Sequence, residues 1–171
     1  MTILAATGHR PNKLGGYDAE TEKKLIDFAV STLREHQPSM VISGMAIGWD
    51  MAIAIAAIRL EIPFWAYLPF IGQELRWPST TRLLYHAVLR KAQRTIVCDE
   101  GGFTKQAMQI RNMRMVDDCE HIVALWNGSS GGTANCIHYA QRVNRPYTNY
   151  WPEWDMGLSP GLTPITEDWL L

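Results

Sequence analysis

Between Leu125 and Asn135 an apolar run gives way to Asn127-Gly128-Ser129-Ser130-Gly131-Gly132-Thr133 and then to helical spacing. A strand, a glycine-rich turn and a helix in that order make an anion cradle. Glycines let the backbone approach a phosphate, and the free N–H groups at the positive end of the helix dipole hold its charge. A tight turn with no ligand fits the same residues, since short glycine motifs recur by chance.

Other loops carry residues suited to such a ligand. Gly8-His9-Arg10-Pro11 follows the first strand pattern and supplies a turn, an imidazole and a permanent cation. The five donors of Arg10 suit a phosphate or carboxylate, although a surface salt bridge would occupy them equally well. Ser43-Gly44, with Gly48 and Asp50, follows the second strand, and Asp50 fits either a helix N-cap or a ribose-hydroxyl ligand. In the third loop Pro69, Phe70, Gln73, Glu74 and Trp77 are close together. Phe70 and Trp77 could cover a base while Gln73 reads its polar edge; the alternative is a loop pinned by its own aromatics. Glu74 and Asp50 are the carboxylates available for acid–base chemistry. Arg111 and Asn112 lie on a helix where Arg111, Arg114 and Asp118 share a face, a pattern that an ion-pair network also explains.

The elements that must position these residues alternate. Short apolar runs at Thr2–Thr7, Met40–Ser43, Phe64–Pro69, Arg94–Cys98, His121–Trp126 and Pro146–Tyr150 are separated by helical patterns over Asp18–Glu35, Asp50–Leu60, Ser79–Ala92, Lys105–Cys119 and Ala134–Val143. Such alternation predicts an α/β, Rossmann-like, doubly wound and mainly parallel sheet of about five to six strands, with helices on both faces. Ligands in such sheets sit beyond the carboxyl ends of the strands, which is where every glycine-bearing loop above falls. Residues 151–171, rich in Pro, Gly and Trp, read as an extended tail on a single domain spanning 1–171.

Composition narrows the function. A chain of 171 residues, 47% hydrophobic, is long enough for one core. A formal net charge of −1, with Lys and Arg scattered along the chain, lacks the basic stripe of a duplex binder and disfavours nucleic acid as a partner. No segment has the apolar length of a membrane span and no leader pattern opens the chain, so a cytoplasmic location is expected. Cys98, Cys119 and Cys136 are odd in number and widely spaced, which fits reduced core thiols rather than a zinc site. No metal cluster is visible, yet magnesium held mainly by water on a bound phosphate would leave little trace. Helices apolar on more than one face point to a homo-oligomer.

Gly8-His9-Arg10, Ser43-Gly44 with Gly48 and Asp50, Pro69-Phe70 with Gln73 and Trp77, Arg111-Asn112, and Gly131-Gly132-Thr133 occur in an order that resembles the YpsA/YspA-like branch of the SLOG superfamily. The resemblance spans almost the whole chain. It implies a Rossmann-like fold related to the LOG proteins and the DprA core, with a nucleotide or nucleotide-sugar ligand at the glycine loops. It also implies a role as a ligand sensor or nucleotide-processing protein. One departure bears on catalysis. LOG phosphoribohydrolases carry a Pro-Gly-Gly-x-Gly-Thr-x-x-Glu motif, and aligning its Thr on Thr133 puts Cys136 where the acid stands. A thiol cannot stabilise an oxocarbenium ion as a carboxylate does, so an N-glycosidic hydrolase would need Glu74 or Asp50 from another loop. The third reading is an interaction protein without a ligand.

Overall fold

The computed structural model describes residues 1–161. Six strands, β1 (Ile3–Gly8), β2 (Met40–Ser43), β3 (Phe64–Leu68), β4 (Arg94–Val97), β5 (His121–Leu125) and β6 (Tyr147–Asn149), form one sheet in the order β4-β3-β2-β1-β5-β6. Every pairing is parallel. Parallel neighbours require a crossover, and the helices α1 (Ala19–His36), α2 (Trp49–Arg59), α3 (Ser79–Leu89), α4 (Lys105–Asp118) and α5 (Gly132–Arg142) supply one between each successive pair. The expected α/β sheet is therefore present with six strands, all parallel.

Two apolar cores hold the helices on opposite faces. On one, Leu25, Phe28, Ala29 and Leu33 of α1 and Met51, Ile53 and Ala56 of α2 pack with Leu4, Val41 and Val123 of the sheet. On the other, Met115 and Val116 of α4 and Ile137 and Ala140 of α5 pack with Ala5, Ile42 and Ile122. Successive strand residues point to opposite faces, so one short apolar run serves both cores. Crossovers from β1 to β4 step outward on the first face, and the chain then returns to β5 beside β1 and continues on the second. The winding thus reverses between β1 and β5, the place where such sheets open a crevice.

One sequence expectation changes, and two elements show features that apolar spacing does not disclose. Trp151–Asp155 is a short helix, α6, with proline in its first turn, rather than extended chain. Five residues are too few to show a helical period, whereas proline is favoured at a helix start. The rest of the expected tail, residues 162–171, lies outside the described residues. β4 is an exposed edge strand, with Arg94 over the Trp65 ring at 5.3 Å. Finally, α2 is apolar nearly all round because it is enclosed by the sheet, α1 and α3, so its apolarity is used within the chain.

Candidate functional site

At the reversal, β1 and β5 run in register to Gly8 opposite Leu125, and His9 N–H still donates to Leu125 O at 3.1 Å. Beyond that pair the two chains part towards opposite faces. Between them lies a cleft of about 540 Å³, walled by the β1–α1 loop, the start of α4 and the β5–α5 turn, with Asp50 and Ala46 also lining it. Its size falls within the usual range of small-molecule sites.

The β5–α5 side presents backbone donors to the cleft. Gly131 stands at the N-cap of α5 with φ 138°, a conformation that L side chains rarely adopt, and no side chain caps the helix. The first intrahelical bond runs from Asn135 N–H to Gly131 O, which leaves the N–H groups of Gly132, Thr133 and Ala134 ahead of the ladder. A Cβ placed on Gly131 or Gly132 would meet nothing within 4 Å, so the backbone here borders open space. Arg10, Lys13, Lys105 and Arg111 line the same cleft, against Asp50 as the carboxylate. Lys13 Nζ donates to Ser129 Oγ at 2.8 Å, tying one wall to the other.

Arg111 is buried and works partly inside the protein. Its Nη1 donates to Gly44 O at 2.6 Å and its Nε to Asn112 Oδ1 at 2.9 Å. With that oxygen engaged, Asn112 Nδ2 donates to Gly132 O at 3.3 Å. The relay fixes the α5 N-terminus to α4. Gly44 permits it: a Cβ there would lie 2.5 Å from Arg111 Nη1 and 2.8 Å from Asp50 Oδ2. Asp50 sits in the first turn of α2, whose N-cap is Gly48, so it is not the expected cap. Burial raises its carboxyl pKa to about 6, against the opposing pull of Arg111, the Ala46 backbone and Arg10.

His9 joins the loops. Its Nε2 lies 2.8 Å from Asn127 Oδ1 and 3.0 Å from the Asn127 backbone N, and the Trp151 ring meets it perpendicularly at 5.9 Å. Burial holds its pKa below the ordinary imidazole value, and Lys13 adds to that while Asn127 opposes it.

Of the residues singled out by sequence, Gly8, His9, Arg10, Asp50, Arg111, Asn112, Gly131, Gly132 and Thr133 line the cleft together. Ser43, Gly44, Gly48, Pro69, Phe70, Gln73, Glu74 and Trp77 do not. Ser43 Oγ donates to Asp50 O at 2.8 Å, and Gly48 lines a separate apolar cavity beside α1 and α2. Gln73 Nε2 turns to Gly44 O at 3.3 Å, Trp77 packs on Tyr85 and Glu74 faces His86 at 3.3 Å. Cys136, aligned with the LOG acid, points into the core, and burial pushes its thiol up to about 11. The sequence reading missed Lys13, Phe103, Lys105, Met108 and Gln109, all of which line the cleft. A signal for the last three was present, because Lys105, Met108, Gln109 and Asn112 follow the spacing of one helical face.

A six-stranded, all-parallel sheet with helices on both faces and a cleft at its reversal is a Rossmann-like α/β fold. The chain is similar to the SPbeta prophage-derived protein YoqJ of Bacillus subtilis, 28% identical over 136 residues, 70% of this chain and 80% of that protein. A UPF0398 protein of Bacillus velezensis is 26% identical over 102 residues, 54% of this chain and 56% of that one, and supports the YpsA-like resemblance. No protein-family model matches. Among solved structures, DNA processing protein A (DprA) of Helicobacter pylori aligns with TM-score 0.62 and 15% identity over 96% of this chain and 76% of that one. DprA of Streptococcus pneumoniae aligns with TM-score 0.59 and 16% identity over 85% of this chain, which spans 49% of that one. The molybdenum cofactor carrier protein of Chlamydomonas reinhardtii gives 0.52 and 15% over 92% and 87%.

These likenesses overturn one expectation. Nucleic acid was disfavoured because Lys and Arg are scattered in sequence, yet the H. pylori DprA that shares this fold has a single-stranded DNA binding mode. Four cations from two distant segments, Arg10 with Lys13 and Lys105 with Arg111, also converge on one cleft, so linear scatter is no guide to charge in the fold. Among the described residues, no helix is long and apolar enough to cross a membrane.

Proposed function

We propose that the cleft binds the phosphate of a nucleotide unit. The N–H groups of Gly132 and Thr133 and the Thr133 hydroxyl would hold the phosphate, with Arg10 adding charge and Asp50 accepting from a ribose hydroxyl. The observation that carries this reading is the uncapped N-terminus of α5 opening onto a cleft lined by four cations and one carboxylate. Magnesium would then arrive with the phosphate and its water. Single-stranded nucleic acid is a second source of the same phosphate, favoured by the likeness to H. pylori DprA over 96% of the chain. Hydrolysis of an N-glycosidic bond would fall to Asp50, because Glu74 lies outside the cleft.

The test is thermal stability of the purified protein against nucleoside monophosphates, cyclic nucleotides, ADP-ribose and short single-stranded DNA, with products followed by mass spectrometry. A shift with intact ligand supports binding alone. Free base that disappears in Asp50→Asn but persists in Glu74→Gln supports hydrolysis. No shift with any member contradicts the nucleotide reading, and a stable protein complex in its absence would favour an interaction protein.

A further inference from the structure

We propose that Phe103 is the platform on which the base of a bound nucleotide stacks. The inference rests on the nucleotide reading and places the base wall on the β4–α4 side, away from Phe70 and Trp77, where the sequence had pointed. Phe103 is 71% exposed, and among the described cleft-lining residues it is the one phenylalanine, tyrosine or tryptophan. A single exposed ring is ordinary; its support is what distinguishes this one. The Phe103 ring stands at 90° to that of Phe70, with centroids 5.9 Å apart, and Phe70 is itself buried. A perpendicular pair leaves at least one face of Phe103 without a partner, held in orientation from behind.

The neighbouring residues fit the same ligand. Thr104 accepts from Ala107 N–H at 2.9 Å and so starts α4 immediately after Phe103. That helix turns Lys105, Met108 and Gln109 into the cleft on one face. Met108 and Phe103 make its bulky apolar wall, and the Gln109 amide offers a donor and an acceptor to a base edge. The α5 turn, by contrast, is polar, with Ser129, Ser130 and Thr133 lining the cleft, and Arg10 and Lys13 of the β1–α1 loop line the same cleft. A cleft of about 540 Å³ with an anion-binding turn and an apolar wall suits a ligand that carries phosphate and an aromatic ring, and a sugar phosphate would leave the wall unused.

The deciding experiment is calorimetric titration of the four ribonucleoside monophosphates, and of ribose 5-phosphate, into the wild type, Phe103→Ala and Phe103→Trp. In the wild type, at least one monophosphate should bind more tightly than ribose 5-phosphate. Phe103→Ala should weaken it by about 5- to 150-fold, the range for loss of one base–aromatic stack, while changing ribose 5-phosphate by no more than about twofold. Phe103→Trp should retain the tighter binding. Undiminished monophosphate affinity in Phe103→Ala, or an equal loss of both ligands, would overturn the platform and leave the phosphate site standing. Wild-type protein that binds neither these ligands nor cyclic nucleotides, ADP-ribose or short single-stranded DNA would overturn the nucleotide reading itself.

Discussion

Arg10 and Asp50 set the charge of the cleft in opposite directions. Arg10 is exposed at the mouth and free to meet an anion, so Arg10→Ala should cost about 1.5–3 kcal/mol of nucleotide affinity, the range for a hydrogen bond to a charged group, as read by calorimetry. Asp50 is buried with its carboxyl pKa raised from 3.8 to about 6. Between those values the folded state binds more protons than the unfolded one, so this group's contribution to stability falls as pH rises through the window. The histidines work the other way. Relative to wild type, Asp50→Asn should therefore gain melting temperature progressively from pH 4 to pH 6. A difference independent of pH would mean that Asp50 is not the desolvated acid described here.

Two junctions between elements are open to test. Gly8 ends β1 directly beneath Trp49 of α2: a Cβ there would lie 2.5 Å from Trp49 Cδ1, and Trp49 Nε1 already donates to Val123 O at 3.1 Å. The indole has nowhere to move, so Gly8→Ala should destabilise by about 1–3 kcal/mol in urea denaturation, the usual penalty for overpacking. At the far end of α1, His36 Nε2 lies 2.6 Å from Tyr150 Oη, the His36 and His121 rings are 5.2 Å apart, and His121 Nε2 lies 2.8 Å from Thr148 Oγ1. Burial lowers both imidazole pKa values; Glu35 partly offsets this for His36, and the charge of His36 adds to it for His121. Because the folded pKa values are depressed, this junction's stability is present above pH 6.5 and is lost as pH falls through the folded values. Replacing His121 with glutamine should flatten that acid limb of the melting curve.

Over the whole molecule, the sequence disclosed what is periodic and concealed what depends on three-dimensional neighbourhood. Each strand and the first five helices could be read from apolar spacing, with ends displaced by a residue or a few, as for α3 ending at Leu89 rather than Ala92. The glycine turn at Gly131-Gly132-Thr133 was legible because a strand, a turn and a helix are contiguous in the chain. The wall from Phe103 to Gln109 was legible only as one face of a helix, because its place at the cleft depends on the sheet order that brings the start of α4 towards β1. That order also removed the Pro69–Trp77 loop: β3 stands two strands from β1, roughly 10 Å away, and its loop turns back onto Gly44, Tyr85 and His86. Gly44 looked like a ligand glycine and proved to be a packing one, a distinction set by Arg111, distant in sequence. Charge followed the same rule, since a chain of net charge −1 gathers four cations in one cleft. Binding of a phosphate-bearing ligand should accordingly weaken as salt is raised, with a shallower dependence in Arg10→Ala.

The most direct measurement is calorimetric titration of nucleoside monophosphates into wild-type protein and Gly132→Leu. A Cβ at Gly132 would meet nothing within 4 Å in the protein itself, so the variant should fold and melt like the wild type while the rest of its leucine extends into the open space beside the α5 N–H groups. Loss of binding with an unchanged melting temperature is the predicted result. A Gly132→Leu protein that binds nucleotide as tightly as the wild type would contradict the assignment of the phosphate to this turn.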